Sequence, residues 1–207
     1  MKNKVIIFDM DGTIIDSSKS IENSINYVRK LIGLAPIDSV YFMKHISASD
    51  DELAELFYPK GNLEENHEKF LNHFDEHCLD HSKLFDGLDI AIKELSKSYP
   101  LAIATNASDF FAKKMLKYLG VFEYFDVVTG ANEHANGKPK PDMLIYILKE
   151  LNGSADKSFM IGDSLRDKEA ASAINMNYLH AQWGYEKIDS IDCGVSTYKE
   201  LLEKIID

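Results

Sequence analysis

The sequence of 207 residues predicts a three-layer α/β fold in which helices cover both faces of a parallel sheet, with an all-helical domain inserted into it. Short apolar segments alternate with helical patterns from about residue 84 to the end of the chain. Residues 16 to 81 contain helical patterns and no convincing strand. Because an apolar segment at residues 5–8 precedes this helical block, we expect the block to interrupt the α/β domain. The predicted domains are residues 1–15 with 83–207, and residues 16–82.

Five apolar segments are predicted to be the strands of the sheet. Consecutive apolar residues between turn-forming residues are typical of strands that are buried on both faces. Helical patterns separate the segments, and right-handed crossovers through helices make such strands parallel. The strands are expected at residues 5–8, 101–104, 127–128, 159–161 and 178–179, and the helices of this domain at 90–95, 110–119, 143–151, 168–174 and 198–206.

Four helices are predicted in the inserted domain. In the first, Ile21, Ile25 and Val28 recur on one face, which is typical of a helix that packs on an apolar core. Glycine and proline residues lie between the helical patterns and indicate turns there. The helices are expected at residues 18–31, 40–45, 52–57 and 64–81.

The charge balance excludes some classes of partner. The chain carries 34 acidic and 23 basic residues, a formal net charge of −11. Nucleic acids and anionic membranes attract basic surfaces, so we expect neither to be a partner. A small anionic substrate would need local positive charge, which a metal ion and one or two lysines would supply.

The cysteines and the apolar segments bear on the cellular compartment. Cys78 and Cys193 are far apart and form no Cys-x-x-Cys pattern, so neither a disulfide framework nor a thiolate metal site is indicated. The basic start of the chain is followed by an apolar segment that ends at Phe8, too short for the core of a signal peptide. No segment approaches the roughly 18 apolar residues of a membrane span. We therefore expect a cytoplasmic protein.

Polar residues follow three of the predicted strands. Asp9 and Asp11 come after the first, Thr105 and Asn106 after the second, and Asp163 after the fourth. Parallel strands end at the same edge of a sheet, so these side chains are expected to converge where open α/β sheets bind ligands. Carboxylates as close as Asp9 and Asp11 repel each other, which a divalent cation or separate acid and nucleophile roles would explain. A solvated turn is the alternative, because Asp and Gly are common turn residues.

Four motifs occur in order along the chain: Asp9-x-Asp11-Gly12-Thr13, Thr105-Asn106, Gly137-Lys138-Pro139-Lys140-Pro141-Asp142 and Gly162-Asp163-Ser164-x-x-Asp167. In order and spacing they resemble the motifs of the haloacid dehalogenase superfamily, over nearly the whole α/β domain. The inserted domain resembles the helical cap of that superfamily, placed between the first and second motifs as in its phosphoglycolate phosphatase and β-phosphoglucomutase relatives. The resemblance implies a Rossmann-like core with a helical cap.

The resemblance also implies an activity. It is that of a Mg²⁺-dependent phosphatase acting on a small phosphorylated metabolite, such as phosphoglycolate, a sugar phosphate or a nucleotide. Asp9 would form an aspartyl-phosphate; with a reference pKa of about 3.9, an aspartate is ionised at neutral pH and needs no base to attack phosphorus. Asp11 would protonate the leaving oxygen and later accept a proton from water. In the superfamily the backbone carbonyl of Asp11, not its carboxylate, contacts the metal.

The metal site implied by the resemblance includes a third aspartate. Asp163 would bind Mg²⁺ together with Asp9 and Asp11, since hard oxygen ligands suit this ion. Taken alone, Asp163 would be interpreted as a helix N-cap. Asp167 lies four residues later, on the same side of a predicted helix, and would support the metal site.

The substrate phosphate is expected to contact Thr105, Asn106 and Lys138. The first two offer hydroxyl, amide and backbone donors, although a strand-to-helix turn uses the same residue types. Lys138 would hold phosphoryl oxygens and reduce the repulsion between the acids. Pro139 and Pro141 stiffen the segment that carries it.

Two groups of residues in the inserted domain are open to a functional or a structural interpretation. Three histidines recur at four-residue intervals of one predicted helix: His73, His77 and His81. Such spacing can hold Zn²⁺ or Ni²⁺, but histidines beside an apolar stripe are usually packing or surface residues. His45, Ser47 and Ser49 lie where related caps contact the leaving group, and a polar connection between helices is the alternative.

Three other activities use similar residues. The closest is a phosphosugar mutase of the β-phosphoglucomutase type, which shares the same machinery. A 2-haloacid dehalogenase is disfavoured, because cleavage of a carbon–halogen bond needs no leaving-group acid and Asp11 would be superfluous. A phospho-receiver signalling module also clusters aspartates around Mg²⁺, but it needs only about half this length and orders its acids differently. A monomer or a homodimer is expected.

Overall fold

A parallel sheet of six strands forms the centre of the larger of two compact units. The structure, a computed structural model, describes residues 3–46, 55–188 and 192–206. The larger unit contains Met1–Asp16 and Lys83–Asp207, and the smaller one contains Ser17–Ser82. The first boundary falls after Asp16 because this residue pairs with Lys83 in a short antiparallel ribbon of the larger unit.

Strands and helices alternate along the larger unit. The strands are β1 (Ile6–Phe8), β2 (Ile15–Asp16), β3 (Lys83–Leu84), β4 (Leu101–Thr105), β5 (Val127–Gly130), β6 (Phe159–Gly162), β7 (Asn177–Ala181) and β8 (Gly194–Val195). The helices whose bounds lie within the described residues are α1 (Ser18–Leu31), α2 (Ser39–His45), α3 (Leu63–His77), α4 (Leu88–Leu95), α5 (Asp109–Tyr118), α6 (Asp142–Glu150), α7 (Leu165–Ser172) and α8 (Tyr198–Ile206). Short 3-10 turns occur at Phe122–Tyr124, Ala131–Glu133 and Ala155–Lys157.

The sheet has the strand order β5-β4-β1-β6-β7-β8, and every neighbouring pair is parallel. β1 lies near its middle, where Phe8 pairs with Ile103 of β4 on one side and Ile161 of β6 on the other. All five predicted strands are present. The sequence did not predict β2, β3 or β8, because strands of two residues are too short to produce an apolar pattern.

Helices pack on the buried sheet through alternate residues of its strands. Val5 and Ile7 belong to an apolar cluster with residues of α6 and α7, while Phe8 points to the opposite face, as alternation requires. The Phe8 ring meets Phe125 edge-on, with ring centroids 6.3 Å apart. The helix residues of the cluster are Met143, Leu144, Ile147, Ala170 and Ala171. The predicted three-layer α/β fold is therefore confirmed.

The smaller unit is built from α1, α2 and α3 around an apolar cluster of its own. Its buried members are Ile25, Val28, Ile37, Phe42, Phe57 and Tyr58. Residues 55–57 are helical, and the rest of the predicted helix 52–57 lies outside the described residues. Throughout the described part of the chain, no helix combines the length and the apolar content needed to cross a membrane.

The last helix of the smaller unit is shorter than predicted. It ends at His77 with Cys78 as its C-cap, so the prediction of a helix to residue 81 is wrong and His81 lies beyond it. Short polar side chains account for the early end. The His77 ring bonds to Asp80 through Nδ1 at 2.9 Å, and the Ser82 hydroxyl donates to the carbonyl of Cys78. Such residues offer the backbone an alternative to further helical bonds.

Candidate active site

The carboxyl ends of β1, β4 and β6 bring the predicted site residues to one edge of the sheet. Asp9 follows β1, and its backbone N–H donates to the carbonyl of Ile161 in β6 at 2.8 Å. Thr105 ends β4, and Asp163 follows β6. The expected convergence thus results from the central place of β1 between these two strands.

Three carboxylates form a cluster at this edge. Asp9, Asp163 and Asp167 each contribute an oxygen, and these oxygens lie within 4.8 Å of one another. The three residues are buried, at 9%, 2% and 0% exposure. Buried carboxylates this close repel unless cations neutralise them, so the cluster could hold a metal ion.

Lys138 lies between two of these carboxylates. Its Nζ is 2.6 Å from Oδ1 of Asp9 and 2.6 Å from Oδ1 of Asp167, in ion pairs that are almost fully buried. Burial alone would lower the pKa of Lys138, but Asp167 and Asp9 outweigh this effect and raise it. Lys138 therefore stays charged and offsets one of the three negative charges.

The local environment makes two aspartates weaker acids than the sequence suggested. Burial raises the pKa of Asp9, and the charge of Lys138 only partly counteracts it. Burial and the Asp167 carboxylate raise the pKa of Asp163 to about 6. We expected Asp9 to be ionised at neutral pH like an aspartate in water. With its pKa raised, this requires a second cation beside Lys138, because a bound cation favours the charged carboxylates.

Both oxygens of Asp163 accept hydrogen bonds from the larger unit. The Thr13 hydroxyl donates to Oδ1 at 3.0 Å, and the backbone N–H of Tyr185 donates to Oδ2 at 2.7 Å. Gly12 lies so close that an added Cβ would meet Oδ2 of Asp163 at 2.4 Å, and its φ is +82°. The glycine of the first motif therefore provides both a left-handed turn and room for Asp163.

Asp167 joins the start of α7 to Lys138. Its Oδ2 accepts bonds from the backbone N–H of Ser164 at 3.1 Å and from the Ser164 hydroxyl at 2.6 Å. The backbone N–H of Asp167 donates in turn to that hydroxyl at 3.4 Å, so the two residues form a capping box. With its other oxygen on Lys138, Asp167 supports the site from the first turn of the helix.

Asn106 holds Lys138 through its side chain. Its Oδ1 accepts from the backbone N–H of Lys138 at 2.8 Å, and its Nδ2 donates to the carbonyl of Lys138 at 2.9 Å. An added Cβ on Gly137 would meet Oδ1 of Asn106 at 2.8 Å, so the glycine beside Lys138 makes room for this pair. The side chain that we expected to contact phosphate is thus used to position the lysine.

Thr105, the last residue of β4, and Asp11 lie at the same edge. The Thr105 hydroxyl accepts from the backbone N–H of Ala107 at 3.1 Å. Asp11 lies in a turn that is closed by Gly12 N–H donating to the carbonyl of Ile15 at 2.9 Å. The carboxylate cluster contains Asp167 and not Asp11, for which the resemblance implied a metal contact through the backbone carbonyl. The roles of Thr105 and Asp11 stay predictions.

Sequence reasoning missed the contribution of the loop after β7. Tyr185 provides a backbone donor to Asp163, and the Trp183 indole N–H donates to the carbonyl of Thr13 at 2.9 Å. Backbone donors are invisible in a sequence. The available signal was Gly184, five residues after the fifth predicted strand, where a Cβ would meet Cβ of Asp163 at 2.2 Å.

The polar residues of the smaller unit have structural partners. His73 Nδ1 lies 3.0 Å from the Ser24 hydroxyl, and its ring stacks on Tyr27 at 4.2 Å. Among the residues that the structure describes, the carboxylate cluster is the only group of three or more metal-ligating side chains, which favours packing roles for the histidines. His45 Nδ1 bonds to the carbonyl of Tyr41 at 2.8 Å. Ser47 and Ser49 lie outside the described residues.

Comparisons with known proteins identify relatives of the chain. It matches the haloacid dehalogenase-like hydrolase family over residues 6–181. A phosphoglycolate phosphatase of Aquifex aeolicus is 30% identical over 188 residues, which cover 90% of this chain and 88% of that protein. The tyrosine-protein kinase PtkA of Mycobacterium tuberculosis is 28% identical over 193 residues, covering 91% of this chain and 65% of that protein.

Solved structures share the fold over nearly the whole chain. A haloacid dehalogenase-like family hydrolase from Streptococcus pneumoniae superposes with a TM-score of 0.86 at 24% identity and covers 98% of both chains. This likeness confirms the fold, and the family match spans all four motifs. The chain therefore belongs to the haloacid dehalogenase-like hydrolase family and is a hydrolase of the phosphatase-like type.

Proposed function

We propose that this hydrolase is a Mg²⁺-dependent phosphatase that acts on a small phosphorylated metabolite through an aspartyl-phosphate on Asp9. The main support is the buried ion pair of Asp9 with Lys138, placed beside Asp163 at the end of the central strand. It puts a nucleophile, a cation for phosphoryl oxygens and a metal ligand within reach of one phosphate.

The proposed reaction has two steps. A carboxylate oxygen of Asp9 attacks phosphorus, the bond from phosphorus to the leaving oxygen breaks, and Asp11 gives that oxygen a proton. Water then attacks the phosphorus of the aspartyl-phosphate while Asp11 takes a proton back, and the Asp9 carboxylate leaves. Lys138 neutralises charge on the phosphoryl oxygens in both steps.

The charges of the site fit a divalent cation. Three carboxylates and one ammonium leave two formal negative charges in a buried space. Asp9 and Asp163, with the backbone carbonyl of Asp11, would hold Mg²⁺, whose preference for hard oxygen ligands they satisfy. When bound, the ion would neutralise phosphate charge and favour ionised Asp9.

The similarity to a phosphoglycolate phosphatase makes phosphoglycolate the first substrate to test. Sugar phosphates and nucleoside monophosphates carry the same monoester group and complete the panel. We further propose that the enzyme acts in the cytoplasm as a monomer or a homodimer, without nucleic acid or membrane partners. The net charge of −11 supports the choice against nucleic acid and membrane partners, because both attract basic surfaces.

Phosphate release from this panel, with Mg²⁺ and with a chelator, tests the proposal. Release should require Mg²⁺ and should fall by at least about 10³-fold in Asp9→Asn, because the nucleophile is lost. Asp89→Asn, an exposed aspartate at the start of α4, is the control and should keep full activity. Undiminished release in Asp9→Asn would contradict the mechanism. A sugar phosphate isomer formed without free phosphate would instead establish the mutase.

A further inference from the structure

β7 and the loop after it surround Asp163, the proposed Mg²⁺ ligand, with contacts that the reaction does not use. This segment, residues 178–185, lies next to β6 in the sheet. Its backbone reaches the Asp163 carboxylate at Tyr185, as described above. Two further side chains of the segment bond to backbone carbonyls of the site: Tyr178 on both sides of Asp163, and Trp183 at Thr13.

Tyr178 holds the turn that carries Asp163. Its hydroxyl shares its one proton between the carbonyls of Gly162, at 2.9 Å, and Ser164, at 3.2 Å, the residues directly before and after Asp163. His180 Nδ1 lies 2.9 Å from the same hydroxyl. Because the phenol proton goes to the carbonyls, the Nδ1–H tautomer of His180 fits as the donor to its oxygen. The buried Tyr178 thus fixes the backbone of Asp163 from both sides.

Trp183 holds the other partner of the Asp163 carboxylate. Its indole N–H donates to the carbonyl of Thr13 at 2.9 Å, and the hydroxyl of Thr13 donates to Oδ1 of Asp163 at 3.0 Å. The Tyr185 hydroxyl reaches the carbonyl of Ile15 at 3.4 Å, two residues further along the same turn. The loop after β7 therefore ties the first motif to the fourth.

Gly184 allows these contacts to be so short. A Cβ at this position would lie 2.2 Å from Cβ of Asp163 and 2.4 Å from the carbonyl oxygen of Gly12. The loop backbone consequently packs directly against the metal ligand and the turn of the first motif. Asp163 is left with little freedom to rotate or shift.

We infer that Tyr178 and Trp183 are positioning residues that set the Mg²⁺ affinity of the site by fixing Asp163 and Thr13. This inference rests on the proposed function, since it takes Asp163 to bind Mg²⁺. Mg²⁺ demands near-ideal ligand geometry, so a small displacement of one carboxylate weakens binding. Loss of an outer partner of a metal ligand typically costs about 10–100-fold in affinity.

Calorimetric titration with Mg²⁺ alone, without substrate, provides the test. Tyr178→Phe removes only the hydroxyl, and Trp183→Phe removes the indole N–H while keeping a smaller aromatic ring; each should raise the Kd for Mg²⁺ by roughly 10-fold or more. Tyr146→Phe, a half-exposed tyrosine of α6, should leave the Kd unchanged. Ile147→Val destabilises the buried core on α6 without touching Asp163, and it should lower the Tm but not the Mg²⁺ affinity.

The outcomes separate this inference from the proposed function. If the wild type binds Mg²⁺ and both donor-deleted variants bind it equally tightly, the inference is overturned and the phosphatase proposal stands. If the Kd for Mg²⁺ rises as much in Ile147→Val as in Tyr178→Phe, the effect comes from a general loss of stability, and the inference is again overturned. Absence of Mg²⁺ binding to wild type would overturn both.

Discussion

The side chain of Asn106 bonds to Lys138 twice, once at its backbone N–H and once at its backbone carbonyl. This pair of bonds fixes the point from which the lysine side chain reaches Asp9 and Asp167. Asn106 is distant in sequence from Lys138, yet it determines where the cation that pairs with the carboxylate cluster is placed. The activity of the enzyme should therefore depend on Asn106 through Lys138.

Asn106→Ala should lower kcat for phosphate release by about 10–100-fold, because small displacements of a catalytic group are costly. Asn132 makes a comparable pair of bonds with Asp109, through its Oδ1 and Nδ2 at 2.9 Å each, and provides the matched control. Asn132→Ala should retain its kcat. Equal losses in the two variants would show that the effect does not pass through Lys138.

Lys138→Met should destabilise the protein as well as inactivate it. Removal of one partner of a buried ion pair typically costs about 3–5 kcal/mol, and here two carboxylates would lose their cation. The loss in Tm should be larger at pH 8 than at pH 5, because the carboxylates can take up protons at the lower pH. Thermal unfolding of Lys138→Met beside Lys140→Met, the exposed lysine of the same motif, checks this.

Mg²⁺ should stabilise the protein, and more strongly at pH 8 than at pH 5. The pKa of Asp163 is raised from 3.8 to about 6, so the metal-free folded state holds a proton that the unfolded state releases. Its contribution to stability is therefore present at acidic pH and is lost as pH rises through about 6. A cation requires the ionised carboxylate and restores stability above that pH.

Melting curves with a chelator or with Mg²⁺ measure this effect. At a concentration near 100 times its Kd, the ion should add about 2.7 kcal/mol and raise the Tm by roughly 5–10 °C at pH 8. Asp163→Asn removes the titrating group and a ligand, so the Mg²⁺ effect should largely disappear. A Tm increase that is the same at both pH values would exclude titration of these carboxylates.

Gly12→Ala and Gly120→Ala form a matched pair. Both glycines have left-handed φ values, +82° and +72°, so alanine should cost about 1–2 kcal/mol at either position. Only at Gly12 would the new Cβ meet the Asp163 carboxylate, since nothing lies within 4 Å of the corresponding position at Gly120. Both variants should lose Tm, whereas Mg²⁺ affinity and kcat should fall in Gly12→Ala alone.

Trp183 should report Mg²⁺ binding by its fluorescence. It is the only tryptophan of the chain, and its indole N–H bonds to Thr13, whose hydroxyl bonds to Asp163. Binding should change the emission with a midpoint equal to the calorimetric Kd. The change should be absent in Asp163→Asn, and its persistence there would place the responsible ion elsewhere.

Features that depend on local pattern were predicted closely. The first helix was expected at residues 18–31 and is Ser18–Leu31, because its apolar face repeats regularly and glycine follows it. The strand expected at residues 5–8 was found at Ile6–Phe8, because an unbroken apolar segment is typical of a buried strand. Convergence of Asp9 and Asp163 followed from the rule that parallel strands end at one edge.

Features that depend on contacts between distant segments were not predicted. Nothing in the sequence indicates that Asn106 would bond to the backbone of Lys138 or that Tyr185 would donate its N–H to Asp163. The end of α3 was missed because Asp80 and Ser82 bond locally to its last turn, an effect that an apolar repeat does not register. Backbone donors and the precise end of a helix are decided by packing.

Because Asp16 pairs with Lys83, the helical insertion begins and ends at one short ribbon, and its length does not affect the order of the strands in the sheet. The chain leaves the α/β unit after β2 and returns at β3, and the two strands run side by side with Ile15 opposite Leu84. The ends of the insertion therefore meet as the ends of a hairpin loop do. Because the entropy of closing such a loop grows only slowly with its length, segments of very different size could be accommodated here without a change in the sheet. The ribbon is thus a point at which an insertion of another size could be exchanged while the sheet keeps its strand order.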